Sequence, residues 1–235
     1  MIALAVHMRA SRKRVAIYTV RLVDDKEKPV KSGGQEIVGV ADSNEVLEAG
    51  INGIYGKQAN LTFLFVQKGT IDVNYSHFAA APTYPLNTNG KATSVDPNTG
   101  DNVYSEPWEI PFQSIADNSG ADYTLFYVSD LKDDSSGQLL GEANRIAGTL
   151  AVIASIKPKV PEEVKVVRRV LTVAHELGHL LGLYHPWGTP TETLDLTKNG
   201  ANLWKFPNPN TTRLMDYHND AALLTREEWK IVNPR

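Results

Sequence analysis

Residues 15 to 23 (VAIYTVRLV) are dense in β-branched and aromatic side chains and predict a strand; 61 to 66 (LTFLFV) and 71 to 75 (IDVNY) predict two more. Between the first and second, Asp42 and Glu45 have the spacing of a capping box, and Leu47, Ile51, Ile54 and Tyr55 follow at helical intervals. The order is strand, helix, strand, with one apolar stripe that can lie on a sheet. From about 80 to 120 the chain is rich in Pro, Asn, Thr, Gly and Asp, which predicts a long surface loop. Segments 122 to 128 (DYTLFYV) and 149 to 155 (TLAVIAS) predict further strands of the same sheet.

Pro161 suits the first turn of a helix, and Glu162 and Glu163 favour its positive end. Val164, Val167, Val170, Leu171, Ala174, Leu177 and Leu181 then supply a broad apolar face, so this helix is expected to be mostly buried. After Gly182 the pattern becomes irregular until Thr225 and Glu228 offer a second capping box for a short terminal helix. Two units are expected, 1 to 182 and a smaller one over 183 to 235. The sequence holds no internal repeat.

Composition narrows the possibilities. With 42% hydrophobic and 22% charged residues in 235, the chain can bury a substantial core. Its formal net charge of -3, with Lys and Arg dispersed, argues against nucleic acid as a partner. There are no cysteines, so a disulfide framework, a thiolate metal site and a cysteine nucleophile are all excluded. The N-terminus, MIALAVHMRASRKR, puts a short apolar stretch before its basic cluster, the reverse of a secretory signal. No segment reaches the roughly 20 apolar residues of a membrane helix. A soluble protein without membrane insertion, a monomer, is expected; its compartment stays open, with a signal-independent route if it is exported.

The chemistry lies in HELGHLLGLYH, residues 175 to 185. His175 and His179 are four apart on a helix, so both imidazoles project from one face and can reach a single ion. Glu176 beside them is placed to take a proton from a metal-activated water and later pass it to a leaving amine. Gly182 can adopt the left-handed conformation that ends the helix, which brings His185 within reach as a third ligand. Three neutral nitrogen ligands leave one position open, the pattern of a catalytic zinc. The chance of these five residues falling at these offsets in such a composition is on the order of 10⁻⁵ per chain.

HExxHxxGxxH is the extended zinc motif of the metzincin metallopeptidases, and this sequence resembles that family at every specified position. The resemblance implies an α/β (α+β) fold: a twisted mixed sheet with two long helices, a zinc cleft, and a small C-terminal subdomain ending in a helix. It also implies one catalytic Zn2+ ion, a peptide or protein substrate lying along an edge strand, and endopeptidase activity. Met215, in TTRLMDYHND, looks like the family's Met-turn, a hydrophobic base under the histidines; an ordinary core methionine is the other reading. In the serralysin and astacin branches a tyrosine two places after that methionine ligates the metal and swings away to hold the oxyanion. Tyr217 stands at that offset, with a packing tyrosine as its alternative, and Pro186 is the residue that serralysins carry after the third histidine. Unlike serralysins, this chain has no glycine- and aspartate-rich calcium-binding repeats.

Blander readings of the remaining residues and two rival functions complete the picture. His7, His77 and His218 are expected to be structural or solvent-facing, and Trp187 and Trp204 to cover a small core rather than line a pocket. A zinc-binding toxin, effector or binding module without general proteolysis is the rival of another class, although the retained Glu176 argues against it. Hydrolysis of a non-protein amide by the same metal chemistry is the third.

Overall fold

The structure, a computed structural model, describes residues 10–74, 86–87, 91–95, 102–106, 109–133, 137–145, 147–155, 162–183, 185, 214–215, 222–224 and 226–233. In chain order the elements are β1 (Ser11–Val23), β2 (Lys31–Ser32), β3 (Gln35–Glu36), α1 (Asn44–Ala59), β4 (Leu61–Asn74), β5 (Leu86–Asn87), β6 (Lys91–Val95) and β7 (Asn102–Glu106). Then come α2 (Ile110–Asp117), β8 (Tyr123–Val128), β9 (Leu131–Asp133), β10 (Gly137–Leu139), β11 (Gly141–Ala143), β12 (Leu150–Ala154), α3 (Glu162–Leu180) and α4 (Arg226–Val232). No helix of the described residues is long and apolar enough to cross a membrane.

The fold is mixed α/β. Its main sheet has the order β11-β12-β8-β1-β4, parallel throughout except for β11, which runs antiparallel to β12. All of β12 and all but the first residue of β8 are buried, because both faces of the central strands are covered. On one face Val15, Ile17, Leu125, Tyr127, Ala151 and Ile153 meet α1 and α3. On the other, Phe126, Val128, Leu150 and Val152 meet α2, with Phe112 and Phe126 rings 4.5 Å apart. Strand β4 lies at the edge and starts with the alternation of one covered face: Leu61, Phe63 and Phe65 are buried, Thr62 is exposed and Leu64 half-buried.

Several sequence expectations change. The strands expected at 61 to 66 and 71 to 75 are one element, because Gly69 absorbs a register shift against Ile17 and Tyr18 and the pairing continues to Asn74. The capping box expected at Asp42 is displaced: Ser43 is the N-cap and accepts from the Val46 N–H, while Asp42 is held by the Arg169 guanidinium in α3. The stretch from 80 to 120 is not a plain loop, since β5, β6, β7 and α2 lie in it, with Pro111 in the first turn of α2 and Phe112 driven into the core. Val167, expected on the buried face of α3, is 55% exposed, whereas Val170, Ala174 and Leu177 are buried as expected and Val173 and Leu180 join them. Thr225 lies outside the described residues.

Candidate metal centre

Helix α3 delivers the first two histidines, and the chain reversal after it delivers the third. Gly182 has φ +100° and its N–H donates to the His179 carbonyl at 2.9 Å, while Leu183 N–H donates to the Gly178 carbonyl at 2.8 Å. The bend returns His185 over the helix. Its Nε2 lies 3.1 Å from Nε2 of His175 and 3.1 Å from Nε2 of His179. In a tetrahedral zinc shell with bonds of about 2.0–2.1 Å, neighbouring nitrogens stand roughly 3.3 Å apart. The three donor atoms are therefore already at the spacing of one ligand set.

Proton positions support the same fit. His175 Nδ1 is 3.0 Å from the Leu214 carbonyl, and His179 Nδ1 is 2.9 Å from the Leu183 carbonyl. A carbonyl only accepts, so each Nδ1 carries a proton and, in the neutral ring, each Nε2 keeps a lone pair. Both lone pairs face His185 Nε2, which has at most one proton to offer between them. A divalent cation suits that donor set, and bonds from Nδ1 to carbonyls are how metal-bound imidazoles are usually oriented. Burial, together with the neighbouring His179 and His185, holds His175 well below the usual histidine range, which keeps it neutral.

Glu176 is 6% exposed. Burial, and then the charge of Glu142, push its carboxyl up to about 8, opposed by a hydrogen bond that its carboxylate accepts from the Ala143 N–H. That bond comes from β11, which packs directly on the helix. A Cβ at Gly141 would stand 2.8 Å from Thr172 Cγ2 and 3.0 Å from Glu176 Oε1. A buried carboxyl that exchanges its proton near neutral pH is suited to proton transfer.

Beneath the helix, Met215 is fully buried, and a Cβ on Gly178 would lie 2.4 Å from its Sδ. Only glycine lets the turn between His175 and His179 settle so closely on that thioether. Tyr55 of α1 reaches the same place and donates from Oη to the Ala174 carbonyl at 2.7 Å. The structure thus brings together His175, His179, His185, Glu176, Gly182 and Met215. Tyr217, Pro186, Trp187, Trp204, His7, His77 and His218 lie outside the described residues. Sequence reading missed Gly141, Ala143, Gly178 and the carbonyls of Leu183 and Leu214. Gly178 alone left a trace, as the small residue between the two helical histidines.

No protein-family model matches the chain, and no curated protein matches it. Among solved structures it is similar to an archaemetzincin from Methanopyrus kandleri, at TM-score 0.47 and 14% identity over 99% of this chain and 97% of that one. It is similar to an archaemetzincin from Archaeoglobus fulgidus complexed with malonate, at 0.46 and 16% over 93% and 99%. It is also similar to myroilysin, at 0.35 and 11% over 96% and 81%. The chemistry assigned to the three histidines stands on their own geometry.

Proposed function

We propose that this chain is a zinc-dependent endopeptidase of the metzincin type, acting as a monomer on peptides or proteins. The observation that carries the reading is the convergence of three Nε2 atoms, with the buried Glu176 next in the chain to His175. His175, His179 and His185 hold the ion, and one zinc bound there supplies Lewis acidity to water and to the scissile carbonyl. Glu176 takes a proton from the attacking water and returns it to the departing amine. Burial sharpens its affinity for that proton, and the Ala143 N–H holds the carboxylate in place.

Strand β11 pairs only with β12 among the described residues, so its outer edge suits main-chain pairing with an extended substrate beside Glu176. Tyr217 is assigned to the oxyanion, by resemblance to the serralysin and astacin branches, and Met215 to the base under the histidines. The cleft is assigned to the junction of two units, 1 to 182 and 183 to 235.

Mass-spectrometric mapping of a mixed peptide library, with and without a chelator, tests the assignment. Cleavage is expected only without chelator. Glu176→Ala is expected to keep one zinc per chain and to lose about 10²–10⁴-fold or more in turnover. Full activity in that variant would defeat the mechanism, and stoichiometric zinc without any cleavage by the parent chain would favour a binding module.

A further inference from the structure

His175 takes its ring orientation from the Leu214 carbonyl, 39 positions further along the chain. What holds Leu214 in place is therefore part of the site. Leu214 N–H donates to the Leu223 carbonyl at 2.7 Å. The neighbours of Leu223 are gripped from both sides by one amide of α1. Gln58 Oε1 accepts from the Leu224 N–H at 2.7 Å, and Gln58 Nε2 donates to the Ala222 carbonyl at 2.8 Å. An N–H can only donate and a carbonyl can only accept, so the partners leave the amide one orientation. One turn earlier on α1, Tyr55 holds the Ala174 carbonyl, the peptide that leads into His175. The last turn of α1 thus references both the backbone of His175 and the acceptor of its Nδ1 proton.

We propose that Gln58 is a positioning residue of the metal centre, acting through residues 222–224 and the Leu214 carbonyl on the imidazole of His175. The proposal deepens the reading of the three histidines as a metal site and rests on it for its metal-binding consequence. The hydrogen bonds of Gln58 among the described residues go to Ile54, Ala222 and Leu224 rather than to the imidazole. Gln58 sets the angle of one ligand through its own bonds to residues 222 and 224, one backbone bond from Leu214 to Leu223, and the Leu214 carbonyl.

The same helix supplies a control. Asn52 also makes a two-armed amide grip, donating to the Phe63 carbonyl at 3.1 Å and accepting from the Phe63 N–H at 2.7 Å, and so holds β4. Losing either grip unpairs two backbone groups, but only the grip of Gln58 leads to a ligand. His179 gives a second control, because its Nδ1 acceptor, Leu183, lies in the reversal just after its own helix.

The experiment compares the intact chain with Gln58→Met, Gln58→Glu and Asn52→Leu. In metal-free protein labelled with ¹⁵N-histidine, solvent exchange of each Nδ1 proton is read by NMR. Cobalt(II) affinity is then measured by chelator competition, together with the visible spectrum of the cobalt-loaded protein. Gln58→Met is expected to speed exchange at His175 on the order of tenfold while leaving His179 unchanged. It is also expected to weaken cobalt binding on the order of tenfold and alter its spectrum, the low end of the effect of disturbing a ligand's hydrogen-bond partner. Gln58→Glu keeps the Leu224 arm, sets an acceptor oxygen against the Ala222 carbonyl in place of the donor, and is expected to show the same selectivity, which covers the case in which the Met variant does not fold. Asn52→Leu is expected to lower stability with both imidazoles unchanged. Equal changes at His175 and His179, or none in a folded Gln58 variant, overturn the proposal. Failure of the parent chain to bind cobalt defeats the metal reading alone, since the imidazole exchange still decides what Gln58 does.

Discussion

All of β12 is buried between helices, whereas the turn at Leu214 and Met215 is tied to the His175 imidazole and, by one backbone bond, to Leu223, whose two neighbours the Gln58 amide holds. The two regions share one apolar cluster, in which Leu214, Met215, Leu224 and Val232 join the α1/α3 face of the sheet. They differ in what a single change can do. Burial in the sheet is spread over many side chains, and removing one mainly costs stability. Around the histidines a few directional bonds each fix one atom, so one change can move the chemistry while the fold survives.

Removing the Phe126 ring, fully buried and packed on both Phe112 and Tyr18, tests the sheet side of this contrast most severely. Phe126→Ala is expected to cost about 3–5 kcal/mol in urea unfolding. Cobalt affinity of the folded fraction should remain unchanged; a large loss would show that the site depends directly on packing in the sheet.

Glu176 sharpens the comparison through pH. Its folded value of about 8 lies above the 4.5 of the unfolded chain, so in metal-free protein its contribution is fully present below pH 4.5 and is lost as pH rises through 8. His175 runs the other way: its depressed value makes stability fall as pH drops below 6.5. Glu176→Gln removes only the first effect. The variant's stability relative to the parent should therefore grow between pH 5 and pH 8, by up to a few kcal/mol, in denaturation of the apo forms. A difference independent of pH would contradict a buried carboxyl with a raised value.

Gly178→Ala addresses the contact between the two regions. The new methyl group meets Met215 Sδ, with Tyr55 Oη 3.2 Å away, and the expected cost is about 1–3 kcal/mol with weakened metal binding. If calorimetry shows stability falling while cobalt affinity holds, the thioether packs without supporting the ligands. Arg21→Ala lies at the opposite extreme. Arg21 pairs with Asp72 at 2.7 Å across β1 and β4, but both side chains are more than a third exposed, so solvent screens the pair, and the expected outcome is the smallest loss of stability in the set with no change at the histidines.

Legibility in the sequence followed the range of the interaction. The apolar stripe of α1 and the buried runs of β8 and β12 are local patterns, set by side-chain geometry within a few residues. Residues whose partners are remote were misread. Asp42 has the spacing of a capping residue, yet Arg169, 127 positions away, takes its carboxylate. Tyr55 reads as one more apolar position, because nothing nearby announces a hydroxyl aimed at Ala174. The stretch from 80 to 120 reads as loop because its strands are short and their pairing is not written in period.

By itself the sequence determined that three imidazoles and a carboxylate belong together, since helical spacing and a glycine reversal bring them close whatever the rest of the chain does. Only the tertiary structure decided which atom of the His175 ring carries the proton, which strand lies against Glu176, and which turn of α1 steadies Leu214. Those outcomes depend on hydrogen-bond partners 33 to 166 positions apart, such as Ala143 with Glu176 and Gln58 with Leu224, and chain folding alone brings such partners together.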